Sequence, residues 1–160
     1  MTFLRITDDG CGMEPVDART AFLRHATSKI RKKEDLACIG TLGFRGEALA
    51  AISSVSKIDL LTRAQGAENG VRLHLEAGQV LSEEPAGCPC GTTILVRELF
   101  YNTPARMKFM KSDAAESSAV FSVVQQQALA HPEISFRFLK DGQEQLHTDG
   151  QGDRMAAIYA

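Results

Sequence analysis

The sequence predicts an α+β fold: a two-layer sandwich with a mixed, largely antiparallel sheet and helices on one face. Three observations carry this expectation. Segments at 2–7, 57–62, 71–75 and 92–99 alternate apolar and polar side chains, the two-residue period of half-buried strands. Glycine-centred turn signals at Gly66, Asn69-Gly70, Gly78 and Gly87 punctuate the central run, which suits a meander. Stretches of helix-forming residues lie before and after that run, so strands and helices segregate along the chain.

Taken in order, residues 2–7 form a strand that runs into the turn Asp8-Asp9-Gly10-Cys11-Gly12. Pro15 suits the first turn of a helix, and Ala18, Ala21, Phe22 and Leu23 extend an apolar stripe as far as Arg24-His25. Residues 26–45 are polar and basic, with Lys29, Arg31, Lys32, Lys33, Gly40 and Gly43, and read as a long loop; loops of that length in a compact domain are usually functional. A helix begins near Gly46 and fades around Ser53-Ser54. After the meander, residues 113–130 place Val120, Val123, Val124 and Gln127 at helical spacing. A hairpin over 134–139 and 143–147 turns at Asp141-Gly142, and a further helix begins at Asp153. The second face of the sheet calls for a cover supplied by other sequence or by a partner.

The chain has 160 residues, enough for one ordinary core. With 44% hydrophobic and 24% charged residues it is neither a disordered tail nor a disulfide scaffold. A net charge of -2 excludes a general pull toward polyanions, so any DNA contact must come from a local patch. Cys11, Cys38, Cys88 and Cys90 lack zinc-ligand spacing and read as free thiols of a reducing compartment. No apolar run reaches membrane-spanning length and the first residues lack a signal-peptide pattern, so the expected location is cytoplasmic.

Asp8, Gly10 and Gly12 place a carboxylate at a strand end with two side-chain-free residues behind it. A flat ligand can approach such a backbone while the carboxylate accepts from an amine, for which the exocyclic amine of adenine is suited. Asp-Gly turns are also common punctuation. Gly43-Phe44-Arg45-Gly46-Glu47-Ala48-Leu49 puts two glycines before a helix, where unpaired amides suit an anion, although a plain glycine hinge has the same pattern. Neither the Walker spacing nor a Rossmann glycine pattern is present. Thr27, Ser28 and Lys29 offer hydroxyls and an ammonium to phosphate oxygens, or are simply a solvated loop. Thr92, opening a strand after Gly91, can turn its hydroxyl toward the Asp8 turn or merely fill a β surface.

In order, Asp8 to Gly12, Arg24-His25-Ala26-Thr27-Ser28-Lys29-Ile30, Gly43 to Leu49, Gly91-Thr92 and Phe100-Tyr101-Asn102-Thr103-Pro104-Ala105-Arg106 resemble the MutL family. That family is a branch of the gyrase, chaperone, histidine kinase and MutL (GHKL) ATPases with the Bergerat-type fold. The strings around His25, Phe44 and Pro104 distinguish MutL from topoisomerases and kinases. The resemblance implies that Asp8 holds the adenine amine, with Thr92 assisting through water, and that Gly10 and Gly12 shape the base pocket. It implies a triphosphate lid made of Thr27, Ser28, Lys29, Gly43, Phe44, Arg45, Gly46, Glu47, Ala48 and Leu49. The string at Asn102 to Arg106 has no derivable ligand role and is expected to be a turn that anchors the next helix.

The implied cofactors are ATP and Mg2+. In the family the activating acid and the magnesium-holding asparagine lie on a helix upstream of the Asp8 turn, so no catalytic residue and no metal ligand is expected within these 160 residues. Loss of a general base commonly costs ~10²- to 10⁴-fold in rate, so the chain by itself is expected to be inactive while the intact protein hydrolyses ATP slowly. Residues 1–152 would be a partial ATP-binding domain lacking its N-terminal helix, and 153–160 the start of the next domain. Implied partners are DNA through the intact protein, mismatch-recognition and other repair proteins, and a second copy in a homodimer, with no membrane. A non-catalytic scaffolding fragment and another ATPase of the same superfamily remain the alternatives.

Overall fold

A computed structural model describes residues 3–26 and 46–159. The chain forms two compact units, Met1–Phe109 and Met110–Ala160.

In the first unit the elements are β1 (Phe3–Asp8), α1 (Pro15–Thr20), α2 (Ala48–Ser53), β2 (Lys57–Arg63), β3 (Gly70–Glu76), β4 (Gln79–Ala86), β5 (Gly91–Arg97) and α3 (Pro104–Met107). The strands make one sheet in the order β1-β5-β2-β3-β4, and all four ladders are antiparallel. Because directly paired residues point to the same face, the registers define rows across the sheet. Leu4, Val96, Ile58 and Leu75 form one row, Ile6, Ile94, Leu60 and Leu73 the next, and Asp8, Thr92, Thr62 and Val71 the third. The first two rows are wholly apolar, and the third is polar except at Val71.

Helices cover this face. Ala18 and Phe22 join Ile58, Leu60, Val71, Leu73 and Leu75 in one buried cluster, with Met13, Leu49 and Ile94 packed against it. Ile58, Leu60, Leu73 and Leu75 are fully buried, each contributing about 1.5–3 kcal/mol of hydrophobic stabilisation. Cover thins toward β1, where Ile6 is 59% exposed although it continues the Leu60 row.

The opposite face carries charge. Asp59 lies 3.0 Å from His74 and 3.4 Å from Arg97, and Lys57 lies 3.2 Å from Glu98. The hydrogen bond to Glu98, reinforced by the Glu76 and Glu98 charges, holds the Lys57 ammonium above its ordinary pKa. Exposed pairs of this kind contribute little stability each and keep the face wet.

Element boundaries moved for local reasons. The first helix ends at Thr20, not at His25, because the chain tightens to three-residue bonds, Phe22 to Arg19 and Leu23 to Thr20, before His25 takes a φ of 62°. Phe22 reaches the core nonetheless. The second helix starts at Ala48, since Gly46 at φ 63° cannot be helical. Strand β4 was not expected from the sequence. Its Ser82-Glu83-Glu84-Pro85 stretch is exposed and does not alternate, and it is recruited by the two-residue Ala77-Gly78 turn, both residues at positive φ, that follows β3. As an edge strand it tolerates Pro85.

The second unit contains α4 (Asp113–Ala130), β6 (Arg137–Lys140), β7 (Gln143–His147) and α5 (Arg154–Ile158). Ser112 caps α4 by accepting from the Ala115 amide. The covered stripe of α4 runs through Val120, Phe121, Val124, Gln127 and Ala128, with Phe121 edge-on to Phe138 at 5.7 Å, while Val123, expected on that stripe, is exposed. The hairpin turns at Asp141-Gly142, both at positive φ as a tight two-residue turn requires. Asp153 caps α5 through the Met155 amide.

Candidate functional site

The third row of the sheet gathers the candidate residues. Asp8 ends β1 and is paired with Thr92 on β5, which is paired in turn with Thr62 on β2. One Asp8 carboxylate oxygen accepts from the Gly10 amide at 3.0 Å. This short loop holds the side chain in place and leaves the other oxygen without a hydrogen-bond partner among the described residues. The row faces the same side as the apolar core, and Asp8, at its β1 end, is exposed.

Two glycines, Gly12 and Gly91, bring backbone close around it. Gly12, at φ 65°, lies where a Cβ would stand 1.9 Å from the Arg63 carbonyl oxygen, and Gln65 donates its amide to the Cys11 carbonyl at 2.9 Å. A Cβ on Gly91, at φ 110°, would meet the Asp8 carbonyl oxygen at 2.1 Å. Only glycine fits either place. Gly10 is different: its added Cβ would meet only the Asp8 side chain, at 3.0 Å. From the outside, Cys90 Sγ donates to the Gly10 carbonyl at 3.4 Å.

Thr62 is the residue that sequence reasoning missed. It is fully buried, and its Oγ1 lies 3.0 Å from the Met13 amide, 2.9 Å from the Gly91 carbonyl oxygen and 3.0 Å from Thr92 Oγ1. One hydroxyl thus ties the loop after Asp8 to the start of β5. Only the pairing of β5 with both β1 and β2 exposes that relationship; a threonine at a strand end carries no such signal.

Of the residues expected at the lid, Thr27, Ser28, Lys29, Gly43, Phe44 and Arg45 lie outside the described residues, as does Cys38. The remainder flank them. Gly46 has no room for a side chain, since a Cβ would stand 2.1 Å from the Ala26 carbonyl oxygen, and His25 pairs with Glu47 at 3.2 Å. Residues on either side of 27–45 therefore touch one another. Ala48 and Leu49 open α2, and Leu49 packs on the core.

The string at Asn102 does more than start a helix. Asn102 donates its side-chain amide to the Ser54 carbonyl at 2.9 Å, the Phe100 amide donates to Val55 at 2.7 Å, and the Ala77 amide to Ser56 at 3.4 Å. Three successive carbonyls after α2 are thereby satisfied. Glu98 and Phe100 adopt positive φ in forming this turn, and α3 follows directly at Pro104. The helix it anchors through Asn102 is the preceding one, α2.

A shallow depression lies at the same strand ends, lined by Thr7, Leu61, Thr93 and Cys88-Pro89-Cys90 and touching Asp8 and Thr92. Thr7, Thr93 and Leu61 belong to the sheet face opposite the Asp8 row, so it is not the concavity into which that row points. Cys11, Cys88 and Cys90 are free thiols. Among the described residues no group of three or more His, Cys, Asp or Glu side chains could hold a metal ion, and no helix is long and apolar enough to cross a membrane.

Comparison with known proteins agrees with this geometry. Residues 2–86 match the family model of histidine kinase-, DNA gyrase B-, and HSP90-like ATPases. The chain is 48% identical over 99% of its length to the DNA mismatch repair protein MutL of Agathobacter rectalis and 51% identical over 98% to that of Symbiobacterium thermophilum. It covers 24% and 25% of those two proteins, about a quarter of each. Among solved structures, the Aquifex aeolicus MutL ATPase domain complexed with ADP superposes with a TM-score of 0.76 at 30% identity, over 99% of this chain and 57% of that one. The α+β fold is that of the MutL ATPase domains, and the chain belongs to the histidine kinase-, DNA gyrase B-, and HSP90-like ATPase family, within its MutL branch.

Proposed function

We propose that the Asp8 row binds the adenine of ATP and that this chain is the nucleotide-binding part of a DNA mismatch repair protein. The observation that carries the reading is the register of Asp8 with Thr92, beside a backbone that Gly12 and Gly91 keep free of side chains. A carboxylate with one oxygen fixed by Gly10 has acceptor capacity left for a base amine. Gly10 and Gly12 bound the base. The ADP named in the Aquifex aeolicus complex is consistent with a nucleotide here.

In this reading Thr27, Ser28, Lys29 and Gly43 to Leu49 close over the triphosphate. The contact between Ala26 and Gly46 and the His25–Glu47 pair support it, because they fix the two ends from which such a lid would move. Residues 1–152 belong to the ATP-binding domain and 153–160 open the next. The cation that accompanies ATP is Mg2+, and the described residues offer it no cluster of ligands. Slow hydrolysis, lid-driven pairing of two copies, and engagement of DNA and other repair proteins are assigned to the intact protein; ordering of a loop by a γ-phosphate is an established way to bias such a pairing.

Calorimetric titration with a non-hydrolysable ATP analogue tests the base site. Saturable binding that Asp8→Asn weakens at least about tenfold is expected, since a charge-assisted hydrogen bond is lost. Binding insensitive to Asp8→Asn would remove the adenine from this row.

A further inference from the structure

We infer that Thr62 is a positioning residue that fixes the proton of Thr92 and thereby makes the site select a 6-amino purine over a 6-oxo purine. The inference rests on the proposed nucleotide site and adds the basis of its selectivity.

A threonine hydroxyl has one proton to give and two lone pairs. Thr62 Oγ1 has three polar neighbours at hydrogen-bond distance and no access to solvent. The Met13 amide can only donate, so it takes one lone pair. The Gly91 carbonyl can only accept, so at 2.9 Å it requires the Thr62 proton. The remaining contact, Thr92 Oγ1 at 3.0 Å, is then satisfied only if Thr92 donates to Thr62. This is the one arrangement in which every group is paired. Reversing it would set the Thr62 and Gly91 oxygens against each other without a proton, in a buried place where an unmade bond is costly.

The consequence falls on the ligand side. With its proton committed to Thr62, Thr92 presents lone pairs only. Its register partner Asp8 is a carboxylate and also accepts only. Two acceptor-only groups side by side suit an exocyclic amine, directly or through a water that donates to them. A 6-oxo group set directly against them would be a third acceptor and leave lone pairs opposed. Polar sites of this sort reject analogues strongly because the mismatched groups stay unpaired.

The test measures dissociation constants of the intact protein for non-hydrolysable analogues of ATP and of inosine triphosphate, which share a triphosphate and differ at position 6. Thr62→Val keeps the shape and removes the hydroxyl, freeing the Thr92 proton; Thr62→Ser keeps the proton order. The expected result is a preference for the adenine analogue in wild type and Thr62→Ser that falls about tenfold in Thr62→Val, with affinity for the inosine analogue maintained. Equal weakening of both analogues would assign Thr62 a merely structural role and overturn the inference. An unchanged ratio would do the same. Failure of wild type to bind either analogue would instead overturn the nucleotide site itself. Should Thr62→Val not fold, neutron diffraction from deuterated wild type reads the order directly: a deuteron on Thr92 aimed at Thr62 supports the inference, and a deuteron on Thr62 aimed at Thr92 defeats it.

Discussion

A Cβ on Gly91 would stand 2.1 Å from the carbonyl oxygen of Asp8. Strand β5 therefore enters the sheet through a gap that admits only a hydrogen atom, and this closeness sets Thr92 beside Asp8. Gly91→Ala must move one backbone or the other, and it also forces an alanine toward φ 110°. The expected cost is about 2 kcal/mol or more, read as a lower urea midpoint, together with weakened binding of an ATP analogue. A variant with unchanged midpoint and affinity would mean that the approach is not required.

Leu60 lies at the heart of the core. It is fully buried in the middle of the second apolar row, between Ile94 and Leu73. Leu60→Ala should destabilise by roughly 2–5 kcal/mol, the transfer term plus a cavity that the flanking strands cannot close. Denaturant unfolding checks this, and a loss below about 1 kcal/mol would place the core elsewhere.

Asn102 predicts a smaller and more local effect. Its hydrogen bond to the Ser54 carbonyl is exposed, so Asn102→Ala should cost about 0.5–1.5 kcal/mol. Amide exchange should quicken selectively around residues 48–56, because one of the bonds that hold the end of α2 is gone. Uniform exchange across the sheet and α2 would contradict that placement.

Ser112 tests the second unit. Its hydroxyl accepts the Ala115 amide at 3.3 Å, and Glu116 accepts the Lys111 amide at 2.8 Å. Ser112→Ala should cost α4 about 1 kcal/mol and Ser112→Asp should retain most of the stability. Helical circular dichroism followed through thermal unfolding separates the two.

The alternation of residues 57–62, 71–75 and 92–99 made three strands legible, because each turns alternate residues onto the core, and the third stops at Arg97. The Asp141-Gly142 hairpin was legible for a different reason: a two-residue turn at positive φ selects those residue types. Strand β4 was not, since an exposed edge with Glu83, Glu84 and Pro85 pairs through its backbone and has no apolar face to announce it. Asp8, Gly12 and Gly91 could be found from the string alone. Thr62 could not, because its role arises from a register across three strands and not from its neighbours in sequence. The direction in which Asn102 reaches was hidden likewise, being a contact with a residue 48 positions earlier.

In the proposed site the base of a nucleotide sits at the row Asp8–Thr92–Thr62. Hydrogen–deuterium exchange of the intact protein with and without saturating ADP tests it most directly, since the loop after Asp8 and the start of β5 are distinct peptides. Slowed exchange is expected at Gly10 to Met13 and at Gly91 to Thr93, lost in Asp8→Asn, with little change in β6 and β7. Protection that leaves both segments untouched while ADP is bound would contradict it.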